Sequence, residues 1–202
     1  MIYKKYFKRP IDFILSLIAL ISLSPLFLII GIAIKLDSEG PIFFKQERVG
    51  KHKKNFIIYK FRTMVQNAEE IGNKYRNEKD DPRITKVGKL LRTTSLDELP
   101  QLINIFKGEM SIIGPRPTLN YIIEKMNKKQ LQRLDIKPGV TGLAQVNGRQ
   151  KLTWKEKAEY DLRYVKKLSF IMDVKILFKT FVVIFKFDEI HKEELKKEDE
   201  EL

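Results

Sequence analysis

The sequence contains no cysteine and only two histidines, His52 and His191. Disulfides and thiolate metal sites are therefore excluded, and a His-rich zinc site has too few ligands. The lack of cysteine is compatible with a reducing compartment. No GxxxxGK[ST] loop and no GxGxxG occurs, so the standard nucleotide-binding motifs are missing. There is no internal repeat and no linker to a second domain. Negative charge is also scarce: 26 Asp and Glu face 39 Lys and Arg, a formal charge of +13 over 202 residues. That length suits one domain with an appendage. The positive excess calls for an anionic partner, whether nucleic acid, lipid headgroups or a phosphorylated small molecule.

Charge is wholly absent from Phe13 to Ile34. The run has about the roughly 20 residues that a helix needs to cross a bilayer. It is too long for a typical signal-peptide core, and no A-x-A-like cleavage site follows. Ser24-Pro25 falls in its middle, where proline removes a backbone bond and bends the helix. Both flanks are basic: Lys4, Lys5, Lys8 and Arg9 before, Lys35, Lys45, Arg48 and Lys51 after. Positive loops prefer the cytoplasmic side. The pattern fits a re-entrant hairpin broken at Ser24-Pro25, with the Ser24 hydroxyl satisfying a freed backbone group. It equally fits a kinked spanning helix. A membrane segment also argues against nucleic acid as the partner, as does the lack of any nucleic-acid motif.

Beyond it, "IFFKQERV" and "NFIIYKF" flank the polar "GKHKK" and predict a β-hairpin with Gly50 at the turn. "VQNAEEIGNKYRNEKDDPRIT" predicts a helix and then a loop ending at Pro82. "KVGKLLRTTSLDELPQLINIFKG" predicts two short helices broken near Thr94-Ser95, the second ended by Gly108. "SIIGPRPTLN" predicts a turn region, Tyr121 to Leu134 one helix, and "DIKPGVTGLAQVNGRQ" an ordered loop. "TWKEKAEYDLRYVKKL" predicts an amphipathic helix. In "SFIMDVKILFKTFVVIFKF" Lys175, Lys179 and Lys186 fall near one line, as on a helix lying in the membrane interface. The segments are 1–36, a membrane helix with a basic N-terminus; 37–187, a compact catalytic core; and 188–202, a charged tail expected to be frayed or disordered.

The acids Asp97 and Glu98 stand out against this basic background. Ser95-x-x-Glu98 fits a capping box, and Asp97 would suit the helix dipole. Catalysis explains the stretch about as well. Lys60, Arg62, Arg92, Arg116 and Arg149 lie beside turns rather than on charged helix faces, and arginine binds phosphate oxygens through paired bonds. The glycines of "PGVTGLAQVNGR" allow close backbone approach, and Thr141, Gln145 and Asn147 supply short polar groups. Together these suggest a phosphorylated ligand beside two carboxylates. One could hold Mg²⁺ against phosphate oxygens and the other attack phosphorus, kept ionised by the helix N-terminus and nearby Arg. A metal-dependent phosphohydrolase and a non-enzymatic binder of anionic membranes are the alternatives.

"KFRTM", "TSLDELPQL", "GEMSIIGPRP" and "PGVTGLAQVNGR", in that order behind a Pro-broken apolar N-terminus, resemble the bacterial sugar transferases. These are monotopic phosphoglycosyl transferases, and the likeness runs from about residue 1 to residue 187. Little sequence precedes the membrane segment, so the small form of the enzyme is expected. The resemblance implies an α+β, mostly helical fold around a re-entrant hairpin on the cytoplasmic face of the bacterial inner membrane. It implies Mg²⁺-dependent transfer of a phosphosugar from a UDP-sugar to a polyprenyl phosphate, releasing UMP in a ping-pong scheme. Asp97 matches the nucleophile and Glu98 the adjacent Mg²⁺-associated acid. Lys60, Arg62, Arg92, Arg116 and Arg149 match phosphate- and nucleotide-binding positions. Ser24-Pro25 matches the pair that turns the hairpin. Glu109 stands where many members carry Asp. Anionic lipids are expected as partners, and self-association is open.

Overall fold

The computed structural model describes residues 2–68, 81–148 and 151–183. Most of these are helical, with two small sheets, which is the α+β architecture expected. A π-helical stretch, Tyr3–Phe7, runs into α1 (Lys8–Ser22), and α2 (Ser24–Asp37) follows at once. Pro25 occupies the first turn of α2, and the Ser24 hydroxyl donates to the Ile21 carbonyl at 2.8 Å. Lost backbone bonding and ring crowding at this junction bend the pair by 60°. No single described helix is long and apolar enough to cross a membrane; the bent pair meets that test only together.

Polar side chains dock α1 onto the rest of the protein. Arg9 donates to the carbonyls of Ile105 and Phe106 at 2.6 and 2.8 Å. Asp12, buried, accepts from the Ser111 hydroxyl at 2.7 Å and from the Ile112 amide at 3.1 Å. Such buried polar groups are tolerated only when paired, so each contact also fixes the orientation of α1.

The predicted hairpin forms as β1 (Phe43–Val49) and β2 (Asn55–Phe61), antiparallel, with Phe44 opposite Lys60 and Arg48 opposite Phe56. Directly opposed residues share a face, so Phe44, Gln46 and Arg48 line up with Lys60. The break predicted near Thr94-Ser95 is also present. Helix α3 (Lys86–Thr93) is capped by Thr85 and ends before Ser95, whose φ is 57°. A 3₁₀ turn, Leu96–Glu98, leads into α4 (Gln101–Lys107), and Gly108 closes it at φ 86°. Gly108 adopts the left-handed C-terminal geometry that favours glycine.

Two stretches expected as turn and loop contain strands. β3 (Ser111–Ile113) pairs in parallel with β4 (Gly139–Thr141). At three residues each they are too short for a period-2 pattern, and their pairing is long-range. The glycines here serve close backbone approach, but between the two loops themselves: a Cβ on Gly139 or Gly142 would collide with the backbone of Gly114.

The helix expected over Tyr121 to Leu134 is broken instead into α5 (Asn120–Glu124), α6 (Lys128–Leu131) and a 3₁₀ turn, Gln132–Asp135. Asn127 is the reason. Its side chain accepts from the Gln130 amide, and Gln130 reaches back to complete a capping box, starting a new helix. Helix α7 (Trp154–Lys167) matches expectation and carries a second box, Thr153 with Glu156.

The final described helix, α8, is followed from residue 170 to 183. Its apolar face is open: Phe170, Ile171, Phe178 and Phe181 are all more than half exposed. Asp173 is the acidic interruption of this apolar helix. It is buried and accepts from Tyr3 at 2.8 Å, Lys8 at 2.7 Å and Tyr164 at 2.6 Å. Lys175 and Lys179 remain exposed. Lys186, the charged tail and most of the 65–82 stretch lie outside the described residues.

Candidate active site

The acid pair is held out of any helix end. With Ser95 left-handed, its side chain caps nothing, so the capping box read from the sequence does not form. Leu96 and Leu99 instead pack into the cluster of Ile34, Phe61 and Leu91. That anchors the 3₁₀ turn on both sides of Asp97 and Glu98 and turns the acids toward β2. Asn104 sets the distance between the two elements. Its carbonyl oxygen accepts from the Tyr59 amide at 3.0 Å, and its amide donates to Ile57 O and to Glu109, each at 2.7 Å. Helix α4 is thereby bonded to the backbone flanking Lys60. Glu109, the one departure from the common family pattern, serves this strut.

Glu98 is held from two sides. Lys60 Nζ donates to Oε1 at 2.8 Å, and Arg116 grips the carboxylate at 2.6 Å (Oε1) and 3.3 Å (Oε2). Burial would raise the Glu98 carboxyl, but Arg116 and then Lys60 outweigh it and hold the group well below the usual carboxylate range. Asp97 differs. Among the described residues its carboxylate makes one ion-pair contact, to Lys60 at 3.9 Å. Burial pushes it above its ordinary value, opposed by Lys60, reinforced by the Glu98 charge, and opposed by Arg92 and Arg116. The net lowering expected for Asp97 is not found: burial outweighs Lys60, Arg92 and Arg116. One carboxylate is thus clamped and its neighbour is left open within a ring of cations.

Of the other residues singled out, Arg92 stands beside this pair. Its Nε donates to the Thr63 hydroxyl at 2.9 Å, and its charge acts on Asp97. Arg62 does not join the site. Its guanidinium donates to the carbonyls of Glu39 and Ser38, closing the end of α2. Thr141, Gln145 and Asn147 are also engaged elsewhere. Thr141 bonds the Thr180 hydroxyl at 2.8 Å, Gln145 donates to Val140 O, and Asn147 donates to Leu143 O. They brace their own loop and α8, because short polar side chains near Gly-rich backbone satisfy that backbone first. Arg149 lies outside the described residues.

Arg48, which sequence reasoning does not single out, stands beside the acid pair's cations. It shares the Lys60 face of the hairpin, its guanidinium bonds Gln46, and burial followed by the Arg116 charge lowers it from arginine's ordinary value. Strand alternation is the signal that could reveal it: Arg48 is four residues from Phe44, which opposes Lys60.

For a divalent cation the site offers the acid pair Asp97 and Glu98; no cluster of three or more His, Cys, Asp or Glu suited to a metal occurs among the described residues. Two adjacent carboxylates fit Mg²⁺, which is commonly held by one or two protein carboxylates together with substrate phosphates.

Fold and site together define a class: an α+β protein with a carboxylate pair among Lys and Arg side chains, built onto a bent apolar helix pair. Comparison with known proteins makes the assignment specific. The model of the family described as bacterial sugar transferase matches residues 3–187. The chain is 43% identical over 170 residues to the uncharacterized sugar transferase EpsL of Bacillus subtilis, covering 84% of this chain and 83% of that one. It is 39% identical to the undecaprenyl-phosphate galactose phosphotransferase of Salmonella typhimurium, covering 91% of this chain and 41% of that protein. It is 42% identical to a UDP-glucose:undecaprenyl-phosphate glucose-1-phosphate transferase of Klebsiella pneumoniae, with 86% and 39% covered. The protein belongs to the bacterial sugar transferase family.

Proposed function

We propose that this protein transfers a phosphosugar from a UDP-sugar to a polyprenyl phosphate at a membrane face. The Asp97 carboxylate attacks the phosphorus that bears the sugar. A P–O bond to Asp97 forms, the P–O bond to the nucleotide breaks, and UMP departs. An oxygen of the polyprenyl phosphate then attacks the same phosphorus. The bond to Asp97 breaks, the carboxylate is restored, and a polyprenyl diphosphate sugar leaves. The observation carrying this reading is the asymmetry of the acid pair: Glu98 is clamped by Lys60 and Arg116, while Asp97 makes only a 3.9 Å contact, to Lys60, among the described residues. A carboxylate held in two strong charge-assisted bonds is a poor nucleophile, and an unclamped one is free to approach phosphorus.

Lys60, Arg92 and Arg116 supply fixed positive charge where the diphosphate must sit, and Arg48 adds to it. Such preorganised charge stabilises the extra negative charge of the transition state. Mg²⁺ would be held by Glu98, whose Oε2 is met by Arg116 only at 3.3 Å, and when bound would neutralise phosphate charge. The names of the Salmonella and Klebsiella relatives support undecaprenyl phosphate as acceptor and a UDP-sugar as donor. The bent α1–α2 pair and the open apolar face of α8 support a re-entrant, monotopic seat in the bilayer, with anionic headgroups meeting the surrounding lysines.

Purified protein is incubated with radiolabelled UDP-sugars and Mg²⁺ but no acceptor. Release of UMP with label retained on the parent protein, and none on Asp97→Asn, is expected. Hydrolysis to free sugar phosphate without labelled protein would favour a phosphohydrolase. Transfer to lipid by a protein that never carries label would overturn the two-step scheme.

A further inference from the structure

Arg133 and Asp161 form an ion pair buried away from the carboxylates. Arg133 lies on the 3₁₀ turn after α6 and Asp161 on α7. Their side chains are 4% and 2% exposed and meet at 2.7 Å. Burying two charges is costly, and an apolar pair of similar size is often as stable. The pair therefore calls for a use besides stability. The guanidinium that binds Asp161 also donates to the main-chain carbonyl of Arg116 at 2.9 Å and approaches the Thr118 hydroxyl at 3.4 Å. Arg133 Nε and Asp161 Oδ1 find no partner among the described residues, so the pair is not maximally bonded for its own sake. Arg116 lies between Pro115 and Pro117, neither of which has a backbone N–H to anchor the loop. Its side chain grips Glu98 at the other end.

We propose that Arg133 and Asp161 are positioning residues: they hold the backbone of Arg116 so that its guanidinium stays on Glu98 and faces the donor diphosphate. Helix α7 is thereby coupled to the acid pair through one carbonyl. Gly114, Pro115 and Thr118 stay bonded to Thr141, Gly139 and Val49, so removing the strut frees the loop at Arg116 itself. Arg116 then contributes less to Glu98 and less to phosphate binding. The phosphate half of this statement rests on the function proposed above; the Glu98 half does not.

The test uses the full-length protein in detergent and the double variant Arg133→Met/Asp161→Leu, which replaces the ion pair by apolar side chains of similar volume. Two readouts are taken. The first is the ¹⁵N–¹H NMR signal of the Arg116 guanidinium at neutral pH, assigned by its loss in Arg116→Ala and calibrated by its position in Glu98→Gln, where the bond to Glu98 is weakened. The second is UDP affinity by calorimetry, in the parent and in an Arg116→Ala background. The expected result is an Arg116 signal moved toward its position in Glu98→Gln, and UDP binding about tenfold weaker. In the Arg116→Ala background the double substitution should leave UDP affinity unchanged, because the partner it acts through is gone. An unmoved Arg116 signal, or an equal loss of UDP affinity with and without Arg116, overturns the proposal. If the double variant does not fold, Arg133→Lys serves instead. It keeps a charge opposite Asp161 but lacks the planar fork that also reaches the carbonyl, and the same outcomes decide. A moved Arg116 signal in a protein that never binds UDP would sink the functional reading while leaving the positioning role intact.

Discussion

Arg116 closes on Glu98 at 2.6 Å from outside the hairpin, while Lys60 reaches the same Oε1 at 2.8 Å from β2. One carboxylate oxygen thus joins two elements that lie far apart along the chain. The clamp explains why adjacent acids behave unlike one another. It also sets the expectations that follow.

Asp97 and Glu98 respond to pH with opposite signs. Glu98 is held low when folded, so its pairing stabilises fully above the ordinary glutamate value and is lost as pH falls through the depressed one. Asp97 is held high, chiefly by burial. Its contribution favours folding below the ordinary aspartate value and disappears as pH rises through the raised one. Attack on phosphorus needs Asp97 ionised, so the acid limb of kcat/KM should follow Asp97 and not Glu98. Lys60→Met removes the charge that most opposes this rise. The limb should move to higher pH, and kcat/KM should fall about 100-fold. Profiles of UMP release for both proteins check this; a limb that stays in place would exclude Asp97 as the titrating group.

Asn104→Leu should cost about 3 kcal/mol. The substitution keeps the branching at Cγ but strands the Tyr59 amide, the Ile57 carbonyl and Glu109. Denaturant unfolding in detergent measures the loss. Because Lys60 depends on this register, kcat should drop even in the fraction that remains folded. A variant as stable as the parent would show that α4 is held to β2 by apolar contacts alone.

Asp173→Asn should destabilise the protein by about 3 kcal/mol. It removes the buried counter-charge of Lys8 and weakens the bonds from Tyr3 and Tyr164. Limited proteolysis should then cut the N-terminal helix region faster than the hairpin. Equal acceleration at both places would mean global unfolding and not release of the N-terminal helices.

Single cysteines at positions 2 and 38, introduced into this cysteine-free chain, should react with an impermeant thiol reagent from the same side of sealed vesicles. Labelling from opposite sides would establish a spanning helix and remove the re-entrant seat.

The β-hairpin is legible in the sequence through its aromatic and β-branched runs, and the break at Thr94-Ser95 through polar residues between two apolar periods. The acid pair stands out against the basic background. What misleads is local pattern with two meanings. Ser95-x-x-Glu98 spells a capping box, yet Lys60 and Arg116 offer Glu98 full charges, which outweigh a backbone amide. Arg62 and the polar residues of the Gly-rich loop look like ligand-binding groups, yet unsatisfied carbonyls lie nearer. Arg133 and Asp161 give no signal, since an arginine and an aspartate well separated on polar helices read as solvated surface.

Residue types and their local frame follow from the sequence alone: a proline that must bend an apolar helix, a strand pair carrying Lys60, and two adjacent carboxylates just after a break between short helices. Those follow from backbone sterics and periodicity, which act over a few residues. Only the tertiary structure decided which acid is clamped and which is open, and which arginines face them. Electrostatic partnership depends on distances of a few ångströms between chain-distant groups, and only the packing of α4, β2 and the Arg116 loop sets those distances.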